Sequence, residues 1–130
     1  MISVDTNILV RILTKDDDLQ LRKAISLFEN NQIFITDTVI LETEWVLRYA
    51  YGFSTNEINQ ALTSLLGLPQ VHQSHPRQVA DALEWHRQGM DFADALHLAG
   101  SSGKDEFATF DQAFVKVAQP LCLKPKVRLP

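Results

Sequence analysis

The sequence predicts an α/β fold built on a mostly parallel sheet. Short apolar runs alternate with helical patterns along the chain, and no hairpin turn signal joins neighbouring runs. The chain has 130 residues, of which 45% are hydrophobic, so one ordinary core can form and no second substantial domain fits. We therefore expect a single α/β domain over residues 1–130.

The first half of the chain is expected to contain two strands and four helices. A capping box formed by Ser54 and Glu57 opens the fourth helix, which is clearly amphipathic. The earlier elements are a buried strand at Ile2–Val4, a helix over Asn7–Leu13 capped by Thr6, a helix opened by Asp16–Asp18, a strand at Ile33–Ile35, and a helix that Asp37 or Thr38 caps and Gly52 ends.

The second half continues the same alternation. Pro76 suits a first helical turn, and Asp91 and Asp111 each suit the N-cap of a later helix. The remaining elements are a short strand at Val71–His72, a helix ending at Gly89, a helix over Phe92–Ser101, a strand at Phe107–Phe110, a helix to Ala118, a final strand at Leu121–Leu123 and an irregular basic tail.

Two acids follow predicted strands directly. Asp5 comes after Ile2–Val4, and Asp111 comes after Phe107–Phe110. Ligands of open parallel sheets bind beyond the carboxyl ends of the strands, so both acids would project towards such a site. Each could instead simply cap the helix that follows it, and that reading stays open for each acid taken singly.

Glu42 and Asp94 are the other candidate acids. On a helical wheel Glu42 falls in the apolar arc of Trp45 and Tyr49, where a buried carboxylate needs a cation or hydrogen-bond donors. Glu44 falls on the opposite side, and with Arg48 it is expected to form an ordinary exposed pair. Asp94 lies three residues after Asp91, where the helix dipole alone already favours an acid.

Four carboxylates in one small domain favour a hard divalent cation. Mg²⁺ and Mn²⁺ prefer carboxylate oxygen, and a cation relieves the repulsion among clustered acids. The four histidines are scattered and Cys122 is the lone cysteine, so no zinc spacing and no internal disulfide is available. We expect Cys122 to be a small buried residue, because leucines flank it on both sides.

Four segments that carry these acids resemble the motifs of PIN-domain proteins, and in particular VapC-type toxins of bacterial toxin–antitoxin pairs. A lone Asp-Thr-Asn is weak evidence, but the four segments in order within 130 residues are specific. The resemblance covers at least residues 1 to 118. The segments are Met1–Val10, Val39–Leu47, Asp91–Ala99 and Thr109–Asp111.

The resemblance implies a three-layer α/β/α sandwich around a mainly parallel sheet, with Mg²⁺ or Mn²⁺ held by the four acids. It implies cleavage of RNA, a homodimer and a cognate antitoxin that masks the site. The residues matching the acids are Asp5, Glu42, Asp94 and Asp111, and those matching supporting polar positions are Thr6, Asn7 and Thr109.

Three other functions are open to an α/β chain of this length with acids at strand ends. A phosphoacceptor receiver domain needs an Asp near the middle of the chain, and residues 47–63 contain none. An aspartyl phosphatase would want an acid at position 7, which is Asn7. A PIN-like RNA- or protein-binding module without significant catalysis stays open.

Charge and hydropathy bear on partners and location. The balance of 12 basic and 16 acidic residues gives a net charge of −4, so RNA would be held by a local patch or through cations. The candidates for phosphate contact are Arg11, Lys15, Arg22, Lys124, Lys126 and Arg128, each equally explicable as solvated charge. No apolar run approaches a membrane span and no signal peptide is evident, so the cytoplasm is the expected compartment.

Overall fold

The computed structural model covers residues 1–130 and confirms the predicted α/β class. Every strand pair is parallel. One sheet has three strands in the order β1-β2-β3, and the other pairs β4 with β5. The strands are Ile2–Ser3 (β1), Ile33–Phe34 (β2), Val71–His72 (β3), Glu106–Ala108 (β4) and Lys126–Arg128 (β5).

The chain divides into two compact units, Met1–Pro76 (the N-terminal unit) and Arg77–Pro130 (the C-terminal unit). The three-stranded sheet and four helices belong to the first: Thr6–Thr14 (α1), Asp18–Asn30 (α2), Asp37–Tyr49 (α3) and Thr55–Leu66 (α4). The two-stranded sheet belongs to the second, with Phe92–Ala99 (α6), Gln112–Ala118 (α7) and nearly all of Pro76–Arg87 (α5). No helix is both long and apolar enough to cross a membrane.

Helix caps follow the sequence in most places. The capping box of Ser54 and Glu57 is complete, and Asp91 and Asp111 cap α6 and α7 as predicted. Two predicted caps were wrong by one position or more. Asp5, not Thr6, caps α1, and Thr36, not Asp37 or Thr38, caps α3. In both cases the true cap is the last residue with extended backbone, and the predicted one already lies inside the helix.

The C-terminal segment differs from its prediction. Residues Leu121–Leu123 do not form a strand, because Gln119–Leu121 is a short 3₁₀ helix that Cys122 ends in a left-handed conformation. Cys122 is exposed, not buried. The last strand is Lys126–Arg128, inside the tail expected to be irregular, where only the central Val127 is buried.

The core of the N-terminal unit is aliphatic. It includes the side chains of Leu9, Ile33, Ile35, Ile40, Leu47, Ile58 and Leu62, each almost fully buried. The strand expected to be buried at Ile2–Val4 is exposed at Ile2 and Ser3, and only Val4 is buried. β1 is an edge strand of its sheet, so it has a strand neighbour there on one side only.

Candidate functional site

Asp5 lies just beyond the carboxyl end of β1, and it caps α1. Its Oδ1 accepts a hydrogen bond of 3.3 Å from the backbone N–H of Ile8. The capping role that the sequence left open is therefore real. A carboxylate has two oxygens with several lone pairs, so one long bond to a backbone amide leaves it able to accept others.

Glu42 is hydrogen-bonded to Thr6, the residue that follows Asp5. The hydroxyl of Thr6, which is buried on α1, donates a hydrogen bond to Glu42 Oε1 on α3. The bond joins two helices that pack together, and it fixes one oxygen of the carboxylate. A carboxylate that a neighbouring donor orients has the chemistry of a cation ligand.

The helical-wheel prediction for α3 was wrong about burial. Glu42 is exposed, and so are the aromatic side chains that were expected to surround it in the core. The buried face consists instead of Ile40, Thr43, Glu44 and Leu47. These four residues lie within an arc of about 100° at 100° per residue, whereas Glu42 falls on the opposite side.

Glu44 and Arg48 do pair, but not as an exposed pair. Arg48 Nε lies 2.9 Å from Glu44 Oε2, and the Glu44 side chain is only 2% exposed. Arg48 also donates from a second nitrogen to Glu44 Oε1 at 3.1 Å. A buried carboxylate with a two-point guanidinium partner has the balance of charge and hydrogen bonds that burial requires.

A cleft of about 540 Å³ in the N-terminal unit is lined by Asp5 together with Asn7, Arg11 and Lys23. Arg11 is firmly held there, because its guanidinium donates to Asp16 at 3.2 Å and to Tyr51 at 3.3 Å. The cleft thus places one acid and two cations around a space large enough for a small polar group.

In the C-terminal unit, three acids lie at two helix starts. Asp91 caps α6 by accepting from the N–H of Asp94 at 3.2 Å. Asp111 caps α7 by accepting from the N–H of Phe114 at 3.1 Å. Thr109 Oγ1 accepts a hydrogen bond of 3.0 Å from the N–H of Asp111. This bond holds the loop that precedes α7.

Asp94 lies in an environment that disfavours its negative charge. Burial raises its pKa most, and the negative charges of Asp91 and Asp111 raise it further, while His97 acts in the opposite direction. Asp94 and Asp111 are thus close enough to repel each other. Asp91 was predicted only as a cap, and its three-residue spacing from Asp94 was the signal that the two charges would also interact.

Residues 2–120 match the family model described as PIN domain. The chain belongs to the PIN domain family. PIN domains are generally nucleases, so this chain has a nuclease-type fold. No curated protein sequence matches it. The match spans the four acids and the three supporting polar residues, and it ends before β5.

Metals that PIN domain nucleases commonly use are Mg²⁺ or Mn²⁺, and the donor set here suits them. The candidate ligands are all carboxylates, and hard cations prefer such oxygens. The structure contains no group of three or more His, Cys, Asp or Glu side chains arranged to hold a metal ion. What it brings together is Thr6 with Glu42 in one unit, and Asp94 with Asp91 and Asp111 in the other.

The basic residues of this PIN domain have varied surroundings. Arg128 pairs with Glu106 across the two-stranded sheet, with 2.8 Å between Nε and Oε2. Lys124 and Lys126 line a cavity of about 590 Å³ in the C-terminal unit, together with Lys104. Lys104 was not among the candidates for phosphate contact.

Proposed function

We propose that this PIN domain is a divalent-metal-dependent endoribonuclease that hydrolyses RNA phosphodiester bonds. The acids that carry the activity are Asp5, Glu42, Asp94 and Asp111, with Mg²⁺ or Mn²⁺ as the cation. The observation that carries the proposal is the match of residues 2–120 to a nuclease-type family, and the negative charges of Asp91 and Asp111, which raise the pKa of Asp94, support it. Like charges held together in a partly buried place favour a bound cation.

Some of these side chains would hold the cation, and others would orient the acids that hold it. Glu42 would hold the cation with the oxygen that Thr6 does not engage, and Thr6 would keep that carboxylate in one orientation. Asp111 would act from a loop that Thr109 braces. When bound, the cation would supply an activated water and stabilise charge on the phosphate being cleaved. Asn7, which lines the cleft beside Asp5, would support that acid.

The resemblance to VapC-type toxins supports a more specific role. We propose that the chain is the toxin of a toxin–antitoxin pair, that it forms a homodimer, and that a cognate antitoxin masks its site in the cytoplasm. Expression of the chain alone should then arrest bacterial growth, and the Asp94→Asn variant should not. Light scattering that finds only monomer at high concentration would contradict the dimer.

Cleavage of a panel of structured and single-stranded RNAs tests the catalytic proposal directly. We expect cleavage with Mg²⁺ or Mn²⁺, none with a chelator, and recovery when the metal is restored. Asp94→Asn preserves size and removes one charged oxygen, so it should abolish cleavage while the fold remains intact. RNA binding without cleavage under all metal conditions would favour the alternative, a binding module without significant catalysis.

A further inference from the structure

Two large aromatic side chains lie side by side on the surface of α3. Trp45 is 55% exposed and Tyr49 is 64% exposed. Single exposed apolar residues are common, but Trp and Tyr usually bury most of their large area, and an adjacent exposed pair forms a patch. The sequence favoured the core for both, so their exposure needs an explanation in function.

The pair is held in one arrangement. The ring centroids of Trp45 and Tyr49 are 5.1 Å apart at an interplanar angle of 47°. The guanidinium of Arg48 lies 4.6 Å from the centroid of the Tyr49 ring, and the buried carboxylate of Glu44 anchors that guanidinium. Exposed rings that are already fixed lose little conformational entropy when a ligand stacks on them.

The aromatic pair lies on the same helix face as Glu42. At 100° per residue, Trp45 is about 60° and Tyr49 about 20° from Glu42 around α3. At a rise of 1.5 Å per residue they lie roughly 4.5 Å and 10 Å further along the axis. Stacked nucleotides are spaced by about 3.4 Å, so this distance corresponds to between one and three nucleotides.

We propose that Trp45 and Tyr49 form a platform on which unpaired bases stack, one to three nucleotides from the phosphate that is cleaved. The inference rests on the proposed nuclease function and adds the residues of this chain that would bind the bases of the substrate. Any base can stack on an aromatic ring, so the platform would select for strand state more than for sequence.

The position of the aromatic pair, on the same helix face as the candidate ligand Glu42, favours nucleic acid as the occupant. The platform shares a face of α3 with Glu42, which Thr6 orients, and the Arg48 guanidinium that stacks on Tyr49 is already paired with Glu44. A nucleotide chain running from the acid along α3 would meet first Trp45 and then Tyr49. A protein occupant, such as a second copy of the chain, is the outcome that the light-scattering experiment below would reveal.

The chain offers a direct optical test, because Trp45 and Trp85 are its two tryptophans. In a Trp85→Phe background, Trp45 is the sole tryptophan reporter. The full-length protein would be titrated in chelator with a single-stranded uridine decamer, a fully paired RNA duplex of equal length, and inorganic polyphosphate. We expect quenching by the decamer and little change with the duplex or polyphosphate. No quenching by the decamer, or equal quenching by all three, would overturn the inference.

Substitutions separate stacking from apolar area. Trp45→Leu keeps apolar bulk but removes the ring, and it should weaken decamer binding roughly tenfold or more, the loss of about one stacked base. Trp45→Phe keeps a ring and should retain most of the affinity. Leu19→Ala removes an exposed apolar side chain on α2 and should bind like wild type. Equal losses in Trp45→Leu and Trp45→Phe would contradict stacking.

Failure of this inference can be distinguished from failure of the nuclease proposal. If metal-loaded wild-type protein cleaves RNA and Trp45→Leu cleaves with the same KM and kcat, the nuclease stands and the platform is wrong. If neither cleaves, quenching by the decamer still tests the platform in the absence of catalysis. A Trp45→Leu variant that loses only its oligomeric state in light scattering would show a protein interface and overturn the inference.

Discussion

Glu42 and Asp94 are both candidate cation ligands, but the neighbours of Glu42 favour a negative charge, whereas those of Asp94 oppose it. In the N-terminal unit, Glu42 is exposed and accepts a hydrogen bond from Thr6. In the C-terminal unit, Asp94 is partly buried, and burial and the charges of Asp91 and Asp111 raise its pKa. The first carboxylate is stabilised by a donor, whereas the second is destabilised by its neighbours.

This difference indicates where a cation would contribute most. A raised carboxyl pKa means that the ionised form costs folding free energy at any pH above that pKa. A divalent ion beside Asp94 would remove that cost, whereas beside Glu42 it would add to an interaction that is already favourable. We therefore expect metal binding to be coupled to stability mainly through the C-terminal unit.

The largest expected effect compares Asp94→Asn with Glu42→Gln. Each should lower kcat/KM for RNA by roughly a hundredfold or more, because a bound metal contributes several kcal/mol to the transition state. In chelator, Asp94→Asn should melt at the same temperature as wild type or higher, since repulsion is removed. Glu42→Gln should not gain stability. A lower metal-free melting temperature for Asp94→Asn would contradict the contrast between the two acids.

Thr6 provides a second test, on the N-terminal unit alone. Thr6→Val keeps the shape of the side chain and removes the donor to Glu42, so metal affinity and kcat/KM should fall roughly tenfold or more, as for other residues that orient a ligand. Thr6→Ser retains the hydroxyl and should preserve both. Metal affinity can be measured by calorimetric titration with Mn²⁺. Equal behaviour of the Val and Ser variants would mean that the Thr6 hydroxyl does not position Glu42.

Local sequence signals predicted the helices of this fold well. Capping residues and apolar spacing placed α2, α4, α5 and α6 close to their observed bounds, because those signals act within one or two turns. The final strand was missed for the opposite reason. The segment Leu121–Leu123 has the apolar composition of a strand, but Lys126–Arg128 is the segment that finds a partner, in β4.

The candidate site was harder to predict than the fold. Family motifs identified Glu42, and the wheel argument grouped it correctly with Trp45 and Tyr49, but it took that face of α3 to be buried in the core. The true buried face includes Thr43 and Glu44, polar residues that a hydrophobicity pattern counts as exposed. Burial of Glu44 depends on its pairing with Arg48, which composition alone does not reveal.

Asp111 allows capping to be separated from charge. Asp111→Asn retains a good cap for α7 and removes one charge that repels Asp94, so its metal-free stability should equal or exceed that of wild type. Asp111→Ala also removes the cap and should cost about 1 kcal/mol. Denaturant melts in chelator measure the free energy of unfolding. If the two variants were equally stable, the cap would contribute nothing and charge alone would matter.

The smallest expected effect comes from Glu84, an acid of the C-terminal unit in the opposite situation to Asp94. Hydrogen bonds from Arg87 and Gln88 lower the pKa of Glu84 from 4.5 to about 2. Because the folded pKa lies below the unfolded value, the stabilisation is complete above the unfolded pKa and is lost as pH falls through the folded pKa. Glu84→Gln should therefore melt slightly below wild type at pH 7, and the difference should disappear as the pH approaches 2. The pair is exposed, so 1 M salt should reduce the difference at pH 7. A Glu84→Gln variant that melts above wild type at pH 7 would mean that Glu84 resembles Asp94, and that crowding rather than donor contact governs the acids of this unit.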